Sequence, residues 1–102
     1  MNRLIDENRV LLEQICQRRH VQRIELFGSA TGPDFDAATS DLDFLVTFEE
    51  LPLNSYADAY FGLLDDLQKL FHRPVDLVVE SSIRNPYFRE AVDSTRTLVY
   101  AA

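Results

Sequence analysis

Leu4, Ile5, Leu11, Leu12, Ile15 and Cys16 recur at helical spacing, which predicts an amphipathic helix over roughly residues 2–19. Arg18, Arg19 and His20 close it, cations placed where the negative end of the helix dipole favours them. From Val21 to Phe27 the pattern alternates instead. Val21, Arg23, Glu25 and Phe27 fall on one face of a strand, and Gln22, Ile24 and Leu26 on the other. The strand stops at Gly28. Residues 30–40 are turn-rich, with Thr31-Gly32-Pro33-Asp34 followed by Ala37, Ala38, Thr39 and Ser40. A second strand runs from Asp41 to Phe48, with Leu42, Phe44, Val46 and Phe48 on one side and Asp41, Asp43, Leu45 and Thr47 on the other. Asn54 or Ser55 can cap the next helix, whose apolar face is Tyr56, Tyr60, Leu63, Leu64, Leu67, Leu70 and Phe71; Pro74 forbids its continuation. Val75 to Glu80 reads as a third strand. Asn85-Pro86 opens a short helix to about Asp93, and Thr97 to Tyr100 closes the chain as a strand. The order α-β-loop-β-α-β-α-β predicts an α/β (α+β) fold, a single mixed sheet with helices packed against it.

Composition narrows the class. A chain of 102 residues, 46% hydrophobic and 26% charged, is one globular domain over residues 1–102. It has no apolar run of membrane-spanning length, and charges occupy the start where a signal peptide needs an apolar segment. Cys16 is the only cysteine, so no intrachain disulfide can form and a structural zinc site lacks its thiolates. A cytoplasmic protein without membrane contact is expected. The net charge is −7, and residues 31–50 carry Asp34, Asp36, Asp41, Asp43, Glu49 and Glu50 with no Lys or Arg. Such a face repels DNA unless cations intervene, so no direct DNA binding is expected.

Three of the carboxylates stand out. Asp41 and Asp43 share a face at the start of a strand, with Cα atoms about 6 to 7 Å apart. Like charges that close are costly unless something positive lies between them, and Mg²⁺, which takes carboxylate and phosphate oxygens, is the natural candidate. Asp76 interrupts an otherwise apolar strand, where it is unfavourable for packing. Gly28-Ser29 at a strand end offers backbone amides and a hydroxyl to a phosphate. Each piece alone has a plain structural explanation: a solvated strand end, a loop-holding carboxylate, a strand-ending turn. Their combination is more informative than any member.

Phe27-Gly28-Ser29, then Ser40-Asp41-Leu42-Asp43-Phe44-Leu45-Val46, then Val75-Asp76-Leu77-Val78 resemble the signature of the nucleotidyltransferase superfamily that includes DNA polymerase beta. The short chain resembles the minimal nucleotidyltransferase (MNT) branch, the antitoxin partners of HEPN-domain toxins. The resemblance implies that Gly28 and Ser29 bind the triphosphate, that Asp41 and Asp43 bind two Mg²⁺ ions, and that Asp76 completes the metal site and helps activate an acceptor hydroxyl. It implies a Mg²⁺-dependent transfer of AMP from ATP, or a nucleotidyl group from another nucleoside triphosphate, to a hydroxyl of a HEPN-domain toxin protein. The alternative is a non-catalytic binding antitoxin with a weak or vestigial nucleotide site. The chain departs from the family pattern after Gly-Ser. Many members have Arg there, whereas Ala30, Thr31 and Gly32 follow here and no base appears before Lys69. The oligomeric state is left open, a homo-oligomer included.

Competing readings fit less well. Asp41-Leu42-Asp43 resembles the start of a haloacid-dehalogenase-type phosphatase, but here the acids precede the apolar run, and the chain is too short for that doubly wound domain. A calcium loop lacks its ligand spacing and its bidentate Glu. Glycoside hydrolysis finds no Trp and little room for a sugar cleft. His20 and His72 lack ligand spacing and read as helix C-terminal residues. Arg84 is available to a phosphate or a partner's carboxylate, with a structural loop as the simpler reading. Tyr87, Phe88, Val99 and Tyr100 are candidates for a docking surface, with core packing expected for at least half.

The charge distribution predicts that nucleotide binding requires Mg²⁺ and is weak in the isolated chain, because an acidic segment without bases faces a polyanion. Calorimetry with ATP in EDTA should show no binding where ATP with Mg²⁺ does; equally tight binding in both would reveal a basic pocket.

Overall fold

All four strands predicted from the sequence form: β1 (Val21–Phe27), β2 (Leu42–Phe48), β3 (Val75–Val79) and β4 (Thr97–Ala101). The computed structural model of the chain describes residues 2–33, 35–36 and 40–102; the turn reading at Asp34, Ala37, Ala38 and Thr39 lies outside the described residues. The strands make one mixed sheet in the order β3-β2-β1-β4. β1 is antiparallel to both β2 and β4, and β2 is parallel to β3. A parallel pair needs a crossover, and α3 (Tyr56–Phe71) supplies it.

The alternation of β2 decides what covers each face. Leu42, Phe44 and Val46 join Ile24 and Leu26 in the larger core, under Ile5, Leu12 and Ile15 from the N-terminal helices and Leu63, Leu67 and Phe71 from α3. On the opposite face Phe27 and Leu45 pack with Val92 of α4 (Pro86–Thr95). Asn85 caps α4 as read from the sequence, accepting from the amides of Tyr87 and Phe88. No helix among the described residues is long and apolar enough to cross a membrane.

Three local expectations are corrected. The helix over 2–19 is two helices, α1 (Arg3–Glu7) and α2 (Arg9–Arg18). Asn8 divides them: its side-chain amide donates to the Leu4 carbonyl at 2.9 Å, a local bond that competes with helical pairing. Val21 does not share the face of Arg23 and Glu25. The register shifts between Val21 and Arg23, and this bulge turns Val21 into the larger core. Ser55 precedes α3 but makes no side-chain cap; a short 3-10 turn, Leu53–Ser55, leads in, and the Leu51 amide donates to the Tyr56 hydroxyl at 2.9 Å. His20 and His72 do end helices, both in the left-handed region, at φ 61° and 54°.

Ion pairs join the layers. Arg19 and Arg18 of the α2 end both reach Asp66 of α3, at 2.7 and 3.0 Å. Gly62 permits this, since a Cβ there would stand 2.6 Å from an Arg19 guanidinium nitrogen. On the α4 side, Glu25 is only 3% exposed. Arg96 grips it with two bonds, at 2.9 and 2.6 Å, and also donates to Glu80 at 2.8 Å and Asp93 at 2.7 Å. These bonds, led by that from Arg96, hold the Glu25 carboxyl below its ordinary range. Cys16 is fully buried, and its thiol is pushed up to about 12 by burial and by Glu13, so it stays protonated.

Removing Arg96 leaves a buried carboxylate short of its main partner. Arg96→Met should cost about 3 kcal/mol at neutral pH, measured by urea unfolding, with partial recovery in Glu25→Gln/Arg96→Met. Because the folded-state pKa of Glu25 is depressed, the contribution of the pair is present above the unfolded value of 4.5 and lost as pH falls through the folded one. The gap between wild type and Arg96→Met should therefore narrow on acidification.

Candidate active site

Parallel register brings the acids together. Leu42 pairs with Val75, Asp43 with Asp76 and Phe44 with Leu77. Leu42, Phe44, Val75 and Leu77 face the larger core, so Asp43 and Asp76 project side by side on the opposite face. Asp41 stands two residues before Asp43, just outside the strand and exposed. The Asp43 carboxyl is pushed up to about 6, first by burial, then by its hydrogen bond to Asp76 and the Asp76 charge, then by the charge of Asp41. The three therefore form one electrostatic group. None of them is ion-paired with an arginine, lysine or histidine among the described residues.

The Gly28-Ser29 turn closes onto this group. Phe27, the last residue of β1, lies opposite Asp43. The chain then turns at Gly28, with φ +73°, and a Cβ at this position would stand 2.6 Å from Asp43 Oδ2. Backbone geometry and the approach of the carboxylate both require glycine. The turn continues as a 3-10 helix, Gly28–Thr31. It is pinned by bonds that sequence reading missed. The Gly28 amide donates to Thr95 Oγ1 at 2.9 Å, Thr31 Oγ1 donates to the Gly28 carbonyl at 2.7 Å, and Asn2 Nδ2 donates to the Ala30 carbonyl at 3.0 Å. Thr95 thus occupies the Gly28 amide, which the sequence reading had offered to a ligand. Ser29 is exposed, and its hydroxyl has no partner among the described residues.

Asp43 and Asp76 share a cleft of about 510 Å³ with Phe27 and Phe88 on one wall and Tyr60 on the other. Phe27 and Phe88 meet edge to face, 6.1 Å apart. A larger hollow of about 790 Å³ lies at the far ends of β2 and β3, walled by Phe48, Tyr56, Phe61 and Val79. It holds none of the three acids, so the candidate chemistry belongs to the smaller cleft. Arg73 donates to the Ser40 carbonyl at 3.1 Å, at the loop leading into Asp41, and stacks over Phe35. Lys69 pairs with Asp65 at 2.8 Å, and Arg84 donates to the Ser81 carbonyl at 2.8 Å.

The donor set suits a hard cation: carboxylate oxygens only, mutually repelling and without protein counter-charge. Among the described residues no group of three or more His, Cys, Asp or Glu is placed to hold a metal by itself. That is compatible with Mg²⁺, which takes one or two carboxylates and completes its shell with phosphate and water.

Residues 9–99 match the family described as "Nucleotidyltransferase domain". The chain belongs to the nucleotidyltransferase-domain family. The match covers both halves of the cleft, β1 to β3 and the first three residues of β4. Two relatives come from Methanocaldococcus jannaschii. "Putative protein adenylyltransferase MJ1379" is 36% identical over 74 residues, covering 72% of this chain and 71% of the relative. "Putative protein adenylyltransferase MJ0128" is 35% identical over 77 residues, covering 76% and 74%. A solved "putative minimal nucleotidyltransferase" shares 30% identity with a TM-score of 0.61, covering 91% of this nucleotidyltransferase and 93% of that chain. The Shewanella oneidensis complex of a tri-AMPylated HEPN toxin with its MNT antitoxin, at 20% identity, covers 96% and 73% with a TM-score of 0.64, a likeness of fold.

The raised Asp43 pKa has a definite sign. The folded state holds this proton when the unfolded chain has lost it, so stability falls as pH rises from the unfolded value of 3.8 to about 6. Asp43→Asn should therefore stabilise the metal-free nucleotidyltransferase at pH 7.5 by roughly 1 kcal/mol, allowing for solvent screening of a half-buried group. Melting in EDTA should show the gain at pH 7.5 and none near pH 4.

Proposed function

We propose that this nucleotidyltransferase is a Mg²⁺-dependent protein adenylyltransferase that moves AMP from ATP to a hydroxyl of a HEPN-type toxin and so acts as its antitoxin. The observation that carries the reading is the pairing of Asp43 with Asp76 in register, with Gly28 turned against the Asp43 carboxylate. The names of the Methanocaldococcus jannaschii relatives point to protein adenylylation, and the toxin complexes among the structural neighbours point to the partner class.

In this reading Asp41 and Asp43 hold Mg²⁺ with the triphosphate oxygens. When bound, the cation offsets the phosphate charge and screens the carboxylates from one another. The Ser29 hydroxyl donates to a phosphate oxygen from the rim of the turn. Asp76 is exposed on the edge strand, where an incoming hydroxyl can reach it. It takes the proton as the acceptor oxygen bonds to the α-phosphorus and the bond to pyrophosphate breaks. The acceptor comes from outside, and close positioning supplies much of the rate. Tyr87 is 81% exposed and Phe88 40%, and Phe88 also walls the acid cleft. These two form the docking rim beside the acids. Val99 is buried and Tyr100 packs against the core, so neither serves it.

Incubation with ATP, Mg²⁺ and a HEPN-type toxin protein tests the reading. Intact-mass spectrometry should show added AMP on the partner. Asp41→Asn and Asp43→Asn should abolish transfer, and Asp76→Asn should lower kcat by about 10²–10⁴-fold, the range for loss of a general base. Partner binding without added AMP would instead mark a purely binding antitoxin.

A further inference from the structure

We propose that Thr95 is a positioning residue of the site: its hydroxyl fixes the Gly28 amide and so makes the docking of α4 set the distance between the Ser29 turn and Asp43. Thr95 is 67 residues from Gly28 in sequence, and its Oγ1 accepts from the Gly28 amide at 2.9 Å. It is the last residue of α4, and the same hydroxyl reaches back to the Ala91 carbonyl at 3.5 Å.

The position of Thr95 is itself fixed on both sides along α4. Phe88 packs edge to face on Phe27, and Val92 is fully buried against the sheet. Arg96, the next residue, grips the buried Glu25 through two bonds. Phe88, Val92, Thr95 and Arg96 form one helical stripe facing the sheet. The turn they hold has little tolerance. Gly28 packs so closely on Asp43 that even a methyl group would stand 2.6 Å from its Oδ2. Sliding the Gly28 amide by a fraction of an ångström moves the exposed Ser29 hydroxyl relative to the Asp43 carboxylate. A phosphate bridging Ser29 and a carboxylate-bound cation senses that distance. Groups that orient such ligands without touching substrate typically change metal affinity or activity by about 10–100-fold when removed.

This inference rests on the metal-and-triphosphate part of the proposed function for its Mn²⁺ arm and on the transfer reading for its kinetic arm. Thr95→Val keeps the shape and removes the hydroxyl; Thr95→Ser keeps the hydroxyl, and Thr95→Ala is a second deletion should Val fail to fold. The first measurement is amide hydrogen exchange at Gly28. Protection should fall at least about tenfold in Val or Ala and return in Ser. The second is Mn²⁺ affinity in the presence of ATP, followed by electron paramagnetic resonance. It should weaken by about tenfold or more in the deletions and recover in Ser. The third is transfer to the partner, where kcat should fall with partner KM unchanged. Loss of Mn²⁺ affinity with rescue by Ser, in a wild type that transfers nothing, would uphold Thr95 and refute the transfer reading. Transfer and Mn²⁺ affinity within twofold of wild type in Thr95→Val would overturn the role of Thr95 and leave the transfer reading standing. Absence of Mn²⁺ binding by the wild-type chain would overturn both.

Discussion

The parallel pairing of β2 with β3 is the constraint on which the site depends. It requires a crossover, supplied by α3, and it puts Asp43 level with Asp76. A shift of one residue would send Asp76 into the larger core and bring Leu77 beside Asp43. Burial of Val75 and Leu77 on one side of β3 resists that shift. The cost of holding two carboxylates together is thus met by apolar packing on the reverse of the same strands.

The two layers of helices divide the work. α1, α2 and α3 cover the face that carries most of the apolar core. α4 covers a smaller apolar cluster and is anchored as much by charge as by burial, through Arg96 with Glu25 and Glu80. Breaking a buried pair costs more than the pair contributes over an apolar substitute, so such an anchor acts as a specificity device: it fixes where α4 sits. The Gly28 turn is held from both layers, by Asn2 at the start of α1 and by Thr95 at the end of α4.

Much of the fold was legible because its signals are local. Alternation located β1 and β2, Pro74 ended α3, and Asn85-Pro86 opened α4. Asp43 and Asp76 were legible as candidates because a carboxylate in an apolar strand contradicts packing. Their meeting was not, since register is a property of two strands and no single segment encodes it. Asn8 and the bulge after Val21 were missed because hydrophobic spacing continues through both. Thr95 and Asn2 look like ordinary helix-end residues in sequence, and only the fold carries them to the turn. Arg73 reaches the loop before Asp41 from 33 residues away, which no motif centred on Gly28-Ser29 could show.

β3 lies at the margin of the sheet, five residues long, with a neighbour on one side only. The repulsion between Asp43 and Asp76 is therefore borne in part by a strand with backbone support on one side only. Opening of this margin parts Asp76 from Asp43 and uncovers Val75 and Leu77, while β1 stays paired on both sides, with β2 and β4. The closeness of the pair is then governed by a local opening equilibrium rather than by the stability of the whole molecule.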